Sequence, residues 1–235
     1  MDKYRKLISD KLALGYGSKY QLLRMLGWHR NFFNKAISES AKISENINWF
    51  DFDFNGPEDK ELLNIDFIEE LKNKWRKYWV CGGGSFGLNW DVVGLSDDGT
   101  YVLVEAKANL DEMLKTPPAG GSDESKNKND AVIQQFVQKY KINKTPSDLD
   151  TTCYQFTNRL IALDFLLSHG YKAKLVYVLF ENGFEFNASS NRSVSKEEWQ
   201  NAFEHELELS GIIGTEIRKM VSACIIDCNN KKSPN

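Results

Sequence analysis

Two carboxylates and an amine fall within one short stretch of this chain: Asp91, Glu105 and Lys107 all lie in WDVVGLSDDGTYVLVEAK, residues 90–107. Acid, acid and ammonium are the working set of a divalent-metal phosphodiesterase, provided that the fold gathers them. The residues between the two apolar runs, Asp97-Asp98-Gly99, suit a three-residue hairpin loop, in which a type I turn is followed by a left-handed residue and glycine costs least. With Ser96 facing Thr100, Asp91 falls directly opposite Glu105, with Cβ atoms roughly 4.5–5.5 Å apart. Lys107 shares their face by the two-residue period of a strand.

The rest of that face is Val93, Leu95, Tyr101 and Leu103, and the other carries Val92, Val102, Val104 and Ala106, so the sheet is expected to be covered on both sides. Two buried, opposed carboxylates without a counter-charge cost several kcal/mol on the usual order of magnitude. Lys107 supplies one positive charge, and a hard, oxygen-seeking ion such as Mg²⁺ (or Mn²⁺) would supply the rest. Such an ion stabilises charge on a scissile phosphate and acidifies a bound water, while Lys107 orients that water or neutralises developing charge. The plainer alternative is a structural Glu105–Lys107 ion pair, with Asp91 capping the strand end. Glu-x-Lys recurs at Glu58, Glu70 and Glu124, but only the copy at Glu105 ends an apolar strand facing a second acid.

Asp91 and Glu105-Ala-Lys107 across a hairpin resemble the PD-(D/E)xK nuclease superfamily. More narrowly, Asn89-Trp90-Asp91, Val104-Glu105-Ala-Lys-Ala108 with Glu112 behind it, and Tyr154-Gln155-x-x-Asn158-Arg159-Leu160 are similar to an uncharacterised bacterial branch of it. The resemblance covers about residues 58–228. It implies an α/β fold of restriction-endonuclease-like architecture: a mixed sheet flanked by helices, built from a helix, the sheet and a further helix and strand. It also implies Asp91 and Glu105 as metal-binding acids, the Ala106 carbonyl as a third metal ligand and Lys107 as the active-site lysine. Trp90 stands where the family name has proline. Many members add a carboxylate from the helix before the sheet, and Glu61, Glu69 and Glu70 are all candidates.

Gln155 and Arg159 are four apart and share a face of the helix that follows. They either hydrogen-bond a strand end or contact the scissile phosphate and order the acids. The resemblance favours the second, and arginine suits phosphate oxygens.

A chain of 235 residues with 41% hydrophobic content buries a sizeable core, expected here as a nuclease-like domain over residues 46–235 with an N-terminal helical lobe, residues 1–45, packed on it. No apolar run reaches membrane-spanning length, so no membrane is expected as a partner. The charged MDKYRKLISDK start lacks an apolar signal core, which leads to a cytoplasmic expectation. Four cysteines (81, 153, 224, 228) and three scattered histidines make no zinc signature and read as free thiols and isolated imidazoles. A net charge of −3 argues mildly against tight nonspecific nucleic-acid binding. A local basic patch, Lys72, Lys74, Arg76 and Lys77, either leads toward the site or is the solvated back of a helix that turns Ile68, Leu71, Trp75 and Trp79 inward.

Along the chain, the patterns predict helices over 3–14, 19–26 (capped by Ser18) and 29–39, a connecting segment over 44–57 with a short strand, and a long helix over 59–79. A glycine-rich loop spans 81–87. Beyond the hairpin come a short helix at 109–115, a mobile lid-like loop at 116–129, a helix at 130–141 and a loop at 143–150. A helix over 151–169 capped by Asp150 or Thr151, a buried strand at 173–180, a Ser195/Glu198 capping box opening a helix to 209, and an edge strand at 221–228 complete the reading. The helix–glycine–helix start reads as ordinary packing rather than a DNA-reading motif, since its second helix is apolar where recognition needs polar residues.

The expected activity is therefore metal-dependent phosphodiester hydrolysis, with DNA ahead of RNA as partner and a homodimer left open. A nuclease-like scaffold that binds nucleic acid or protein without cutting is the alternative, because fold does not fix function. Hydrolysis of a small phosphorylated molecule is a third option.

Overall fold

The structure, a computed structural model, describes residues 17–50, 62–79, 88–115, 122–183 and 193–229. Its centre is a five-stranded mixed sheet. In chain order the described elements are α1 (Gly17–Trp28), α2 (Arg30–Ala41), β1 (Ile47–Trp49), β2 (Leu62–Leu63), α3 (Glu69–Tyr78), β3 (Asn89–Trp90), β4 (Val92–Ser96) and β5 (Thr100–Lys107). They continue with α4 (Asp111–Leu114), α5 (Asp123–Tyr140), α6 (Pro146–Thr152), α7 (Tyr154–Ser168), β6 (Lys172–Glu181), α8 (Lys196–Ser210) and β7 (Val221–Asp227). The sheet order is β1-β4-β5-β6-β7, antiparallel from β1 to β5 and parallel from β5 to β7.

The hairpin has the register derived from its loop. Val92 faces Val104 and Leu95 faces Tyr101, Gly99 takes φ +79°, and its N–H donates to the Ser96 carbonyl. The Asp98 carboxylate tightens the loop by accepting from Ser96 Oγ and the Thr100 N–H.

Strand alternation splits the core into two layers. Val93, Leu103, Leu175, Tyr177 and Leu179 face one cluster with α3, α5, α7 and α8, while Val92, Val102, Val104, Val176, Val178 and Phe180 face α1 and α2. Leu22, Leu26, Phe33 and Ile37 are fully buried against that second face, each contributing about 1.5–3 kcal/mol by leaving water. The two helices thus behave as a packed layer, and residues 1–16, including the helix expected at 3–14, lie outside the described residues. Helix α1 begins at Gly17, so Ser18 sits in its first turn rather than capping it. Among the described residues no helix is long and apolar enough to cross a membrane.

Several expected boundaries move because tertiary partners outweigh local propensity. The helix expected over 59–79 covers only Glu69–Tyr78, since Leu62–Leu63 pair with Asn89–Trp90 as a small second sheet. Asn64, at φ 55°, makes that junction: its Oδ1 accepts from Trp75 Nε1 and the Leu88 N–H, and its carbonyl accepts from Trp90 Nε1. The loop expected at 116–129 is helical from Asp123, capped by Ser122 Oγ; residues 116–121, the remainder of the proposed lid, lie outside the described residues. The loop expected at 143–150 contains α6, started by a Thr145/Asp148 capping box with Pro146 in its first turn. That helix displaces the start of the next, which begins at Tyr154 after a break at Cys153, so neither Asp150 nor Thr151 caps it. The Ser195/Glu198 capping box opens α8 as expected. The glycine-rich stretch at 81–87 lies outside the described residues, and Cys153, Cys224 and Cys228 are free, buried thiols.

One close approach sets the edge of the sheet. A Cβ on Gly94 would stand 2.6 Å from Ile47 Cγ2 and 2.8 Å from Trp49 Cε3. Gly94→Ala is expected to cost about 1–3 kcal/mol by overpacking, read as a lower urea midpoint at unchanged slope.

Candidate active site

Asp91 stands one residue before β4, where continuing the ladder places it opposite Glu105. Its backbone bends there, and the carboxylate folds back so that Oδ2 accepts the Ala106 N–H at 2.7 Å. A strand residue's N–H and C=O leave on the same side, so the Ala106 carbonyl also faces Asp91.

Glu105 is buried, 3% exposed, and both its oxygens are engaged. Oε1 accepts from Lys107 Nζ at 2.8 Å and from Gln155 Nε2 at 3.0 Å, and Oε2 accepts from Arg159 Nε at 2.8 Å. Lys107 Nζ also donates to Gln155 Oε1 at 2.9 Å, which closes a three-membered ring of polar contacts. Arg159 is fixed from two further directions: an Nη donates to the Asn89 carbonyl at 2.7 Å, and the guanidinium lies 5.1 Å from the Trp90 ring centroid. The five residues singled out for chemistry, Asp91, Glu105, Lys107, Gln155 and Arg159, thus form one cluster. It sits where β5 ends and α7 begins. Glu112 terminates the strand beyond it by accepting the Ala108 N–H. Asn158, beside Arg159, keeps its Oδ1 buried with no hydrogen-bond partner.

The upstream helix does not complete the cluster. Glu70 accepts a hydrogen bond from Tyr171, next to the Lys172–Thr100 pairing. Thr100 is five residues before Glu105, roughly 16 Å along a strand. Glu69 is exposed and pairs with Lys72, and Glu61 lies outside the described residues. On α3, Leu71 and Trp75 turn inward while Lys74, Arg76 and Lys77 are exposed, Arg76 pairing with Asp66. The basic stretch is the outer side of a helix.

A residue that sequence reasoning passed over is Glu206. It is 4% exposed and lines a small recess with Lys107, Met113, Gln155, Phe156 and Tyr177. The signal was present: in α8, Trp199, Phe203, Glu206 and Ser210 follow helical spacing on the buried stripe, so the acid occupies a core position.

Burial, reinforced by the neighbouring Glu105 charge, pushes the Asp91 carboxyl up to about 7 against the pull of the Ala106 N–H, Lys107 and Arg159. Burial also acts to raise Glu105, but Arg159 and Lys107 outweigh it and hold that carboxyl below the usual range. Burial likewise pushes Glu206 up to about 7, with Lys107 opposing. Three acids, the buried Glu105 and Glu206 and the half-buried Asp91, face two cations, so the cluster has one negative charge more than it can neutralise when all are ionised. That excess, with the Ala106 carbonyl facing Asp91, fits a divalent cation. Among the described residues no three His, Cys, Asp or Glu side chains stand together as a ready metal cage. An ion here would be held by Asp91, Glu105 and the Ala106 carbonyl, with water or substrate oxygens completing its shell.

The raised acids have a consequence for folding. A carboxyl with a folded-state pKa above its unfolded value binds its proton more tightly when folded, so its contribution is fully present below about pH 4 and is lost as pH rises through about 7. Stability is expected to fall between pH 5 and 8, with Glu206 contributing on the order of 3 kcal/mol of that fall. Urea titrations at the two pH values should show the slope, and Glu206→Gln should flatten it.

Compared with family models, curated proteins and solved structures, the chain matches none.

Proposed function

We propose that the chain is a metal-dependent phosphodiester hydrolase, a nuclease acting on DNA, with a restriction-endonuclease-like fold of the PD-(D/E)xK kind. The observation that carries this reading is the convergence of three separate segments at one end of the sheet: Glu105, Lys107, Gln155 and Arg159 are hydrogen-bonded together, and Asp91 is tied to the Ala106 N–H between Glu105 and Lys107. Helix α3, the mixed sheet, helix α7 and strand β6 follow one another in the order that the resemblance implies.

Mg²⁺ or Mn²⁺ bound there would supply Lewis acidity and an acidified water. The protein's own contributions can be assigned by position. Asp91 and Glu105 hold the negative end of the site, and the Ala106 N–H fixes the Asp91 rotamer. Lys107 presents an ammonium where charge develops on a phosphate oxygen. Arg159 keeps Glu105 ionised and anchored to the Asn89 backbone, and Gln155 spans Glu105 and Lys107 and holds both in register.

One observation favours the non-cutting scaffold instead: every Glu105 oxygen already accepts a hydrogen bond, as in a closed structural ion-pair network. The two readings are separated by incubating the full chain with labelled linear, circular and single-stranded DNA and with RNA, in Mg²⁺, in Mn²⁺ and with chelator. Metal-dependent cutting supports the hydrolase; retention of nucleic acid without cutting under either metal supports the scaffold.

A further inference from the structure

Both Glu105 oxygens already accept hydrogen bonds, two of them at Oε1, and that poses a question of order. An ion shared by Asp91 and Glu105 must sit beside the donors that crowd this carboxylate. Arg159 is the least able to yield, being held by the Asn89 carbonyl and the Trp90 ring as well as by Glu105. Among the described residues Lys107 is held by Glu105 and Gln155 alone, at the end of a flexible four-carbon stem. An ammonium and a divalent cation on one carboxylate oxygen repel each other, so Lys107 is the group that must move.

Glu206 offers the place to move to. It is 4% exposed, lines the same recess as Lys107 and Gln155, and feels the Lys107 charge without being in ion-pair contact with it. Among the described residues no hydrogen bond or ion pair reaches its carboxylate. A buried carboxylate left unpaired costs several kcal/mol on the usual order of magnitude, and packing alone gives no return for it.

We propose that Glu206 is the second berth of Lys107: as Asp91 and Glu105 take up a divalent ion, the ammonium leaves Glu105 Oε1 for the Glu206 carboxylate, with Gln155 as the pivot between them. Glu206 is a positioning residue, acting on the ion and on substrate through Lys107. The inference rests on the metal-dependent reading above. The ammonium keeps its protons and one ionic contact is exchanged for another, while any proton held by the Asp91 or Glu206 carboxyl leaves to solvent as the ion binds.

The test is calorimetric titration of Mn²⁺ into the full-length protein and its variants, with circular-dichroism melts as the folding check. Glu206→Gln is expected to weaken ion binding by roughly tenfold, a mid-range coupling for one ionic network. Glu206→Asp should recover part of the loss. Lys107→Met should tighten ion binding, since the competing ammonium is gone, and adding Glu206→Gln to it should change affinity by less than about twofold if the two residues act as a unit. Equal weakening by Glu206→Gln with and without Lys107 would mean that Glu206 touches the ion or merely supports the fold, and would overturn the proposal. So would unchanged affinity in folded Glu206→Gln. Wild-type protein that takes up no ion would sink the hydrolase reading itself, and this inference with it.

Discussion

Replacing Lys107 by alanine is expected to lower DNA cutting in Mg²⁺ by about 10²–10³-fold, the usual loss when one preorganised charge is removed from a developing oxyanion. Lys107 is 6% exposed and pairs with Glu105, so its removal also costs stability, and the loss of turnover is to be read on protein that circular dichroism shows to be folded. Asp91→Asn should produce a comparable loss by a different route. The amide keeps an acceptor for the Ala106 N–H while removing the charge, so the strand end stays in place and ion binding falls. Gel assays over a series of Mg²⁺ concentrations distinguish the two: excess metal should rescue Asp91→Asn in part and Lys107→Ala not at all. Full activity in either variant would remove the hydrolase reading.

The second large effect is on stability. Arg159→Met should destabilise the protein by about 3–5 kcal/mol, because truncating one partner of a buried ion pair leaves the other uncompensated. Glu105 Oε2 would lose its Arg159 donor, and the Asn89 carbonyl would lose the Arg159 Nη bond. Urea unfolding should show the midpoint drop without a change in slope. Converting Glu105 to Gln in the same protein should return much of the loss, since the stranded charge is then gone. A loss under about 1 kcal/mol would mean that water or Lys107 alone satisfies Glu105, placing the pair among weak, solvent-screened bridges.

How far the chain could be read in advance varied with how local the determinants were. The hairpin register followed from three loop residues and strand alternation, and so did the separation of the sheet into two buried faces. Gln155 and Arg159 were placed by helical spacing. What local pattern could not show was the fold-back of Asp91 onto the Ala106 N–H, or the capture of Asn64 by two tryptophans and Leu88, which cut the expected long helix down to Glu69–Tyr78. The segments at 123–129 and 146–150 were rich in polar residues, yet Ser122 and Thr145 start helices there by capping free N–H groups. Glu206 escaped notice because an acid inside an apolar stripe resembles an exposed neighbour until the stripe's partner is known.

The parallel pairing of β5 with β6 joins positions far apart in the chain: Thr100 lies beside Lys172 and Lys107 beside Leu179. The polypeptide must close a loop of about seventy residues, containing four helices among the described residues, before that ladder can zip. Long-range closure of this kind slows folding relative to helix formation and hairpin collapse. Helical signal and the β4–β5 turn should thus return early after dilution from denaturant, while Gln155 and Arg159 meet Glu105 only once the crossover has docked. The complete ionic centre is a late product of folding, so a chain still emerging from the ribosome carries Glu105 and Lys107 together but Arg159 apart from them.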